Sequence, residues 1–160
     1  MEMETVYLET TFISYLVARP SRDLIVAAHQ QVTNDWWTSR KKRYECYVSE
    51  IVVDEVSAGD ENEIEKRLAI IDELMLLELT EEANTLTKTI LKSGVIPQKS
   101  VRDAAHIAVA TVHEVNYLLT WNCKHIANAR ILRKIEKICA ASGFQIPIIC
   151  TPENLMEDEK

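Results

Sequence analysis

Hydrophobic and polar positions along this chain follow two periods, one typical of buried strands and one typical of amphipathic helices. Short apolar runs predict strands, and a segment with apolar residues at helical spacing follows each of them. Apolar strands that alternate with helices are typical of a parallel sheet covered on both faces. The pattern therefore predicts a three-layer α/β/α sandwich with a central parallel sheet of four or five strands. The predicted strands are Val6–Leu8, Cys46–Val48, Met75–Leu79, the run before Thr120, and Ile146–Cys150.

Capping residues mark where several of the helices are expected to begin. Ser21 is predicted to cap a long helix that continues through Trp37, and Thr80 to cap the helix after the third strand. Asp60 and Glu63 have the spacing of a capping box. These signals place helices between consecutive strands, as the sandwich requires.

Composition indicates one globular domain that spans residues 1–160. A hydrophobic fraction of 47% and a charged fraction of 27% are ordinary for a globular chain, and three glycines and four prolines leave no linker. The acidic start leads directly into a strand, which excludes a signal peptide, and no apolar run is long enough to cross a membrane. The four cysteines form no CxxC pair, so we expect reduced thiols and a cytoplasmic protein.

The net charge of −7 restricts the kinds of partner that the chain can bind. Most of the negative charge lies between residues 51 and 100. A protein that coats duplex nucleic acid over a broad surface is usually basic. The balance argues against such a role, and it remains compatible with an enzyme that holds a short single-stranded substrate or with a basic protein partner.

Acidic residues follow the predicted strands at positions where ligands bind in α/β proteins. Glu9 ends the first strand, and Asp103 opens the helix that leads to a strand and the polar turn Thr120–Asn122. Both positions face the crevice at the carboxyl ends of parallel strands. Glu55 lies in a third acidic segment, VSEIVVDEVSAG. Carboxylate oxygens are the ligands that Mg²⁺ and Mn²⁺ prefer, so convergence of these acids predicts a divalent-metal site.

Each acid also has a purely structural interpretation. Asp103 stands three residues after Ser100 and would complete a capping box there. Glu55 follows another acid and fits an exposed position on a helix. Glu9 fits an ordinary loop residue at the end of a strand. The local patterns alone leave these alternatives open.

Taken together, four segments resemble the successive motifs of PIN-domain nucleases, and in particular the VapC-like toxin ribonucleases of toxin–antitoxin pairs. The resemblance runs from about residue 6 to residue 155, and the third segment is the most specific. The segments are VYLETTFISYL, VSEIVVDEVSAG, RDAAHIAVATVHEVNYLLTWNCKHI and IPIICTPENL.

The resemblance implies metal-dependent cleavage of single-stranded or looped RNA. It implies that Glu9 and Asp103 hold a Mg²⁺ or Mn²⁺ ion and that Glu55 is a further ligand or a base that orients water. A metal-activated water would attack the phosphodiester in line and leave a 5′-phosphate and a 3′-hydroxyl. Thr11 and Thr120 match hydroxyl positions that orient ligands or water in the family.

Two departures from the family pattern lie within the implied site. Glu9 stands where an aspartate is usual; it is one methylene longer, and a displacement of about 1 Å matters to a catalytic group. Asn122 stands where a fourth acid is usual, and an amide lacks the charge. These departures predict reduced or Mn²⁺-preferring activity. They also motivate the alternative that the chain is a catalytically weakened PIN domain acting as a binding or assembly module.

The resemblance further implies a homodimer, an RNA substrate and a cognate antitoxin. A structure-specific DNA nuclease is a third possibility, and the sugar of the cleaved substrate, deoxyribose or ribose, would distinguish it from a ribonuclease. His106 fits a core histidine or a neighbour of the metal site, and His125 a phosphate contact or a helix cap. The basic run SRKKR after Trp37 fits either a single-strand platform or a solvated helix end.

Overall fold

Five parallel strands form a single sheet in the computed structural model, which describes residues 2–156. The spatial order of the strands is β3-β2-β1-β4-β5, and every neighbouring pair is parallel. The predicted parallel sheet is therefore confirmed with five strands. The strands are β1 (Glu4–Leu8), β2 (Tyr44–Ser49), β3 (Met75–Leu77), β4 (Tyr117–Leu119) and β5 (Ile148–Cys150).

Seven α-helices within residues 2–156 connect the strands, and short 3₁₀ turns lie before β2, before the sixth helix and after β5. The helices are α1 (Thr10–Val17), α2 (Leu24–Ser39), α3 (Glu50–Val56), α4 (Glu61–Ile71), α5 (Glu81–Lys92), α6 (Val101–Val112) and α7 (Ala129–Ala141).

The strand order explains why helices cover both faces of the sheet. The chain moves outward from β1 to β3, then returns to β4 beside β1 and continues to β5. Because crossovers between parallel strands are right-handed, this reversal places the two sets of helices on opposite faces. Accordingly α1 packs against α2, α3 and α4, whereas α5 packs against α6 and α7. The reversal also opens a crevice at the carboxyl ends of β1 and β4, where ligands bind in such folds.

The core is centred on the two strands that flank this crevice. Tyr7, Leu8, Leu118 and Leu119 are fully buried, as β1 and β4 are covered on both faces. Trp36 of α2 packs edge-on against Phe12 of α1, with ring centroids 5.5 Å apart. This packing fixes the first turn of α1, which immediately follows Glu9.

Several predicted boundaries differ from those observed, each for a local reason. α2 begins after Asp23, whose carboxylate accepts hydrogen bonds from the next turn, and the hydroxyl of Ser21 instead accepts from the Asp23 N–H. β3 ends at Leu77 and lies at the edge of the sheet with Met75 and Leu76 exposed, so it is not buried on both faces. β5 begins at Ile148, directly after a proline that has no N–H to donate.

The cysteines agree with the prediction of reduced thiols. All four are free, and Cys46 and Cys139 are buried in the core. Burial raises the pKa of both thiols to about 11, so they remain protonated and unreactive at neutral pH. In the described part of the chain, no helix combines the length and the apolar character needed to cross a bilayer.

We predict that the sheet centre and its edge respond differently to the same truncation. Leu118→Ala in β4 should lower the free energy of unfolding by about 2–5 kcal/mol, because it leaves a cavity in a fully buried layer. The matched variant Leu76→Ala in β3 removes a side chain that is 55% exposed and should cost less than about 1 kcal/mol. Urea denaturation measures both values, and equal losses would contradict the burial pattern.

Candidate functional site

Glu9 is a buried carboxylate at the end of β1. Its backbone N–H donates to Leu119 O at 3.0 Å, which joins the carboxyl ends of β1 and β4. One carboxylate oxygen, Oε1, accepts hydrogen bonds from the Thr11 N–H (3.1 Å), the Thr11 hydroxyl (2.5 Å) and the Thr120 hydroxyl (2.6 Å). The other oxygen, Oε2, faces His106, with 3.9 Å to Nε2. Three donors therefore fix the carboxylate and leave Oε2 directed into the site.

The two threonines are themselves held by the turn after β4. The Thr11 hydroxyl accepts from the Trp121 N–H at 2.8 Å, and the Thr120 hydroxyl accepts from the Asn122 N–H at 2.9 Å. The Trp121 indole stacks on His29 with ring centroids 4.0 Å apart and donates to the Thr33 hydroxyl of α2. The polar turn thus fixes the hydroxyl positions that the sequence predicted beside Glu9.

Glu55 reaches the same crevice from α3. Its Oε1 accepts from the Thr10 hydroxyl at 2.7 Å and lies 2.5 Å from His106 Nε2. Burial raises the pKa of Glu55, but the hydrogen bonds of its carboxylate with His106 and the Thr10 hydroxyl and the charge of Arg102 outweigh this effect. The net effect holds the pKa of Glu55 below its usual value, so the carboxylate is ionised at neutral pH.

His106 of α6 connects Glu55 to a buried hydroxyl pair beneath the crevice. The ring is fully buried, and its Nδ1 lies 2.7 Å from the Tyr7 hydroxyl. That hydroxyl lies 2.7 Å from the Ser49 hydroxyl at the end of β2. Burial raises the pKa of Tyr7, so its hydroxyl keeps its proton and acts only through hydrogen bonds.

Glu9, Glu55 and His106 together form a compact set of metal-ligating groups. One ligand atom from each lies within 4.8 Å of the others. Two carboxylate oxygens and an imidazole nitrogen at this spacing suit a divalent cation, which would also offset the repulsion between the two acids. Of the three acids that the sequence predicted to converge, this set contains Glu9 and Glu55 but not Asp103. It contains His106, which the sequence offered only as a core histidine or a neighbour of the metal site.

Asp103 lies beside this set, on the first turn of α6. It precedes His106 by three residues and so shares a face of the helix with it. Its Oδ2 lies 2.9 Å from His125 Nδ1, and it stands outside the group that lies within 4.8 Å. Among residues 2–156, the Ser100 hydroxyl accepts no capping hydrogen bond from a backbone N–H of α6, so the capping-box interpretation of Asp103 is not supported.

Asn122 supports the turn at the mouth of the crevice. Its Oδ1 accepts from the His125 N–H at 3.0 Å, and its backbone carbonyl accepts from the N–H groups of Ile126 and Ala127. The amide therefore organises the loop that carries His125 toward Asp103. The cap of α7 is Asn128, which rules out the capping interpretation of His125.

Sequence reasoning missed the buried part of the site. In the sequence Tyr7 looks like an ordinary strand residue, Ser49 like the cap of the next helix, and Thr10 like the start of a helix. The one available signal was the three-residue spacing of Asp103 and His106, which places both side chains on the same helical face. The partners of His106 come from β1, β2 and α3, which the sequence does not show to be adjacent.

The basic run after Trp37 lies away from this site. Lys41–Arg43 forms a 3₁₀ turn before β2, at the amino end of the strand, whereas Glu9 follows the carboxyl end of β1. Lys41 stacks on Trp37 at 4.0 Å from the ring centroid and pairs with Glu73 at 3.1 Å. This geometry supports the interpretation as a helix end over that of a platform for a substrate at Glu9.

The fold is similar to solved structures of toxin proteins. One is the crystal structure of VapBC2 from Rickettsia felis, bound to a DNA fragment from their promoter. The TM-score is 0.59 at 17% identity, covering 91% of this chain and 96% of that chain. A second is VapC20 from Mycobacterium tuberculosis, a toxin that cleaves the sarcin–ricin loop. Its TM-score is 0.55 at 15% identity, covering 89% of this chain and all of that chain.

The similarity confirms the predicted resemblance to VapC-like PIN proteins at the level of the fold. No protein-family model and no curated protein sequence matches the chain.

We predict that Thr10→Val raises the pKa of Glu55, because it removes a hydrogen bond that favours the ionised carboxylate. The depressed pKa stabilises the fold above the pKa of the unfolded chain, and this contribution is lost as pH falls through the folded pKa. A smaller depression therefore gives a smaller loss of stability as pH falls below the pKa of an unfolded glutamate and through the folded pKa of Glu55. Carbon-13 NMR titration of the Glu55 carboxyl measures the shift.

Thr89→Val is the matched control for this titration, since Thr89 is exposed on α5 and its hydroxyl bonds only to the carbonyl of Thr85. It should leave the Glu55 titration unchanged. An unaltered pKa of Glu55 in Thr10→Val would show that the Thr10 hydroxyl does not favour the ionised carboxylate.

Proposed function

We propose that this chain is a metal-dependent endoribonuclease of the PIN toxin type. The observation that supports the proposal is the meeting of Glu9, Glu55 and His106 at the crevice between β1 and β4, with the acid Asp103 one turn before His106 on α6. A toxin with a similar fold is described as cleaving the sarcin–ricin loop, which supports RNA as the substrate class.

The residues around the crevice fit a divalent ion. Glu9 presents Oε2, Glu55 is ionised, and Asp103 adds a third carboxylate beside them. We assign Mg²⁺ or Mn²⁺ to these oxygen ligands. Such an ion, when bound, supplies the activation of water and the stabilisation of charge on a phosphoryl group that phosphodiester hydrolysis requires.

The chain's own groups would position the reaction and accept its proton. Thr11 and Thr120 fix Glu9, so its carboxylate needs no reorganisation when substrate binds. Ionised Glu55 is the candidate to orient water and to accept its proton. Asn122 acts indirectly, by holding the turn that brings His125 to Asp103.

The alternative of a weakened PIN domain that works as a binding or assembly module rests on Glu9 and Asn122. The Oδ1 atom of Asn122 accepts a hydrogen bond from the His125 N–H, and an amide adds no charge to the site. The site then has three carboxylates, which favours one metal ion over two. A binding or assembly module would keep the fold, but its site would not respond to divalent metal ions.

We predict that Mn²⁺ binds the wild-type protein and that Asp103→Asn weakens the binding by about tenfold or more, or about 1.4 kcal/mol. Glu9→Gln should abolish measurable binding, because it neutralises the most constrained carboxylate of the site. Isothermal titration calorimetry measures both affinities without any assumption about the substrate. Glu65→Gln on α4 is an acid-to-amide control outside the crevice and should bind like the wild type.

Cleavage of a structured RNA pool should require the same residues. Asp103→Asn and Glu9→Gln should reduce the rate by at least about 100-fold, since they remove charge from the centre that stabilises the transition state. The products should carry 5′-phosphate ends, and the matching DNA should remain intact. Folded wild-type protein that neither binds metal at millimolar concentration nor cleaves RNA in its presence would leave the binding module as the better explanation.

We further propose a homodimer that pairs with a cognate antitoxin in the cytoplasm. The VapBC2 structure, which is bound to promoter DNA, supports a toxin–antitoxin setting for this fold. Analytical ultracentrifugation of the isolated chain should give about twice the monomer mass of 18.3 kDa. A mass of one protomer at micromolar concentration would contradict the dimer.

A further inference from the structure

The strongest unexplained feature of the site is the fully buried imidazole of His106. Its Nε2 lies 2.5 Å from Glu55 Oε1 and 3.9 Å from Glu9 Oε2, while Nδ1 contacts the Tyr7 hydroxyl. The proposed nuclease chemistry uses only the carboxylates. A buried histidine placed between two acids and backed by two hydroxyl groups therefore needs a role of its own.

The hydrogen bonds around His106 can run in either of two directions. Opposite ionised Glu55, Nε2 carries the proton and donates to the carboxylate. Nδ1 then accepts from the Tyr7 hydroxyl, which accepts from the Ser49 hydroxyl. In the reverse direction Nδ1 donates to Tyr7, and Tyr7 donates to Ser49. Both directions use the same heavy-atom positions, because each hydroxyl can donate or accept.

The reverse direction leaves a lone pair on Nε2 facing the carboxylate of Glu55. Two acceptors at that distance repel one another unless a cation lies between them. A bound cation would therefore select the reverse direction, and the Tyr7–Ser49 pair would satisfy the displaced proton on Nδ1. Partners that fix the tautomer in this way are typical of metal-ligating histidines.

We propose that His106 Nε2 is a metal ligand together with Glu9 Oε2 and Glu55 Oε1, and that the site prefers Mn²⁺ to Mg²⁺. Metal–ligand bonds of about 2.1 Å separate adjacent ligands by about 3 Å and opposite ligands by about 4.2 Å. The three ligand atoms already lie within 4.8 Å of one another, and Glu9 Oε2 is 3.9 Å from His106 Nε2, close to the spacing of opposite ligands. A rotation of the Glu55 side chain therefore suffices. A nitrogen ligand disfavours Mg²⁺, which binds oxygen, relative to transition metals.

This inference concerns the metal site of the proposed function, but its test needs no RNA. Pulsed EPR of Mn²⁺ bound to the full chain should contain nitrogen-14 modulation from a coordinated imidazole. His106→Gln should remove the modulation and lower the ratio of Mn²⁺ to Mg²⁺ affinity by about tenfold. His113→Gln is the matched control, because this imidazole lies at the other end of α6, contacts the Glu78 carbonyl, and should leave both results unchanged when replaced.

The hydroxyl pair is tested separately, as a group that positions His106. Tyr7→Phe removes the acceptor for the Nδ1 proton and should weaken Mn²⁺ binding about tenfold while the nitrogen modulation persists. Ser49→Ala should have a smaller effect in the same direction. Equal Mn²⁺ affinity in Tyr7→Phe and the wild type would overturn the role of the pair.

A second variant keeps the ligand assignment testable if His106→Gln does not fold. The chain has four histidines, so replacing His29, His113 and His125 together leaves His106 as the single imidazole. Nitrogen modulation that persists in that variant assigns the ligand to His106. Mn²⁺ bound to the wild type without nitrogen modulation, or a folded protein that binds no Mn²⁺, would overturn the proposal.

The outcomes also separate this inference from the nuclease. Nitrogen modulation in a protein that cleaves no RNA would support His106 as a metal ligand and contradict the proposed ribonuclease activity. RNA cleavage in the presence of Mg²⁺, together with bound Mn²⁺ that lacks a nitrogen ligand, would support the ribonuclease activity and contradict His106 as a metal ligand.

Discussion

The carboxylate of Glu9 is the group on which the arrangement of the crevice depends. Taking an ionised carboxylate out of water costs several kcal/mol unless hydrogen bonds or opposite charge replace the lost solvent. Here the replacement comes from both sides of the strand reversal, through Thr11 after β1 and Thr120 after β4. The same two threonine hydroxyls accept hydrogen bonds from the N–H groups of Trp121 and Asn122. A movement of the polar turn would therefore displace the hydroxyl groups that donate to the Glu9 carboxylate.

The second constraint is the contact between the helices on the two faces of the sheet, at the carboxyl ends of the strands. Glu55 comes from α3 on one face and His106 from α6 on the other, and their side chains meet above Tyr7 of the central strand. The distance between the helices is therefore linked to the geometry of a polar cluster as well as to the packing of apolar side chains. A polar cluster of this kind is stable only when every member has a partner, which the Tyr7 and Ser49 hydroxyls provide.

The sequence predicted the sheet and the order of its elements, because these depend on local periodicity, and it offered Glu9, Glu55 and Asp103 as candidate acids of the site. Apolar runs at Val6–Leu8 and before Thr120 gave the central strands, and acids directly after strands or at helix starts gave Glu9 and Asp103. The membership of His106 was not predictable, since it depends on which strands lie beneath α6. Likewise Asp23 rather than Ser21 caps α2, because two adjacent capping residues compete and local sequence does not decide between them.

Asn122 and His106 distinguish the proposed metal site from the all-carboxylate centre that the family resemblance implies. An amide that supports the turn removes one negative charge, and a neutral imidazole ligand would add a donor without adding charge. Fewer negative charges weaken the attraction of the site for Mg²⁺, which binds through electrostatics with oxygen, more than for Mn²⁺, which also accepts nitrogen. The two departures from an all-carboxylate centre are then coupled. The site would lose negative charge at Asn122, at the mouth of the crevice, and gain a ligand at His106, at its base. The choice of metal would then depend on residues of β1, β2 and α6 that are buried beneath the crevice.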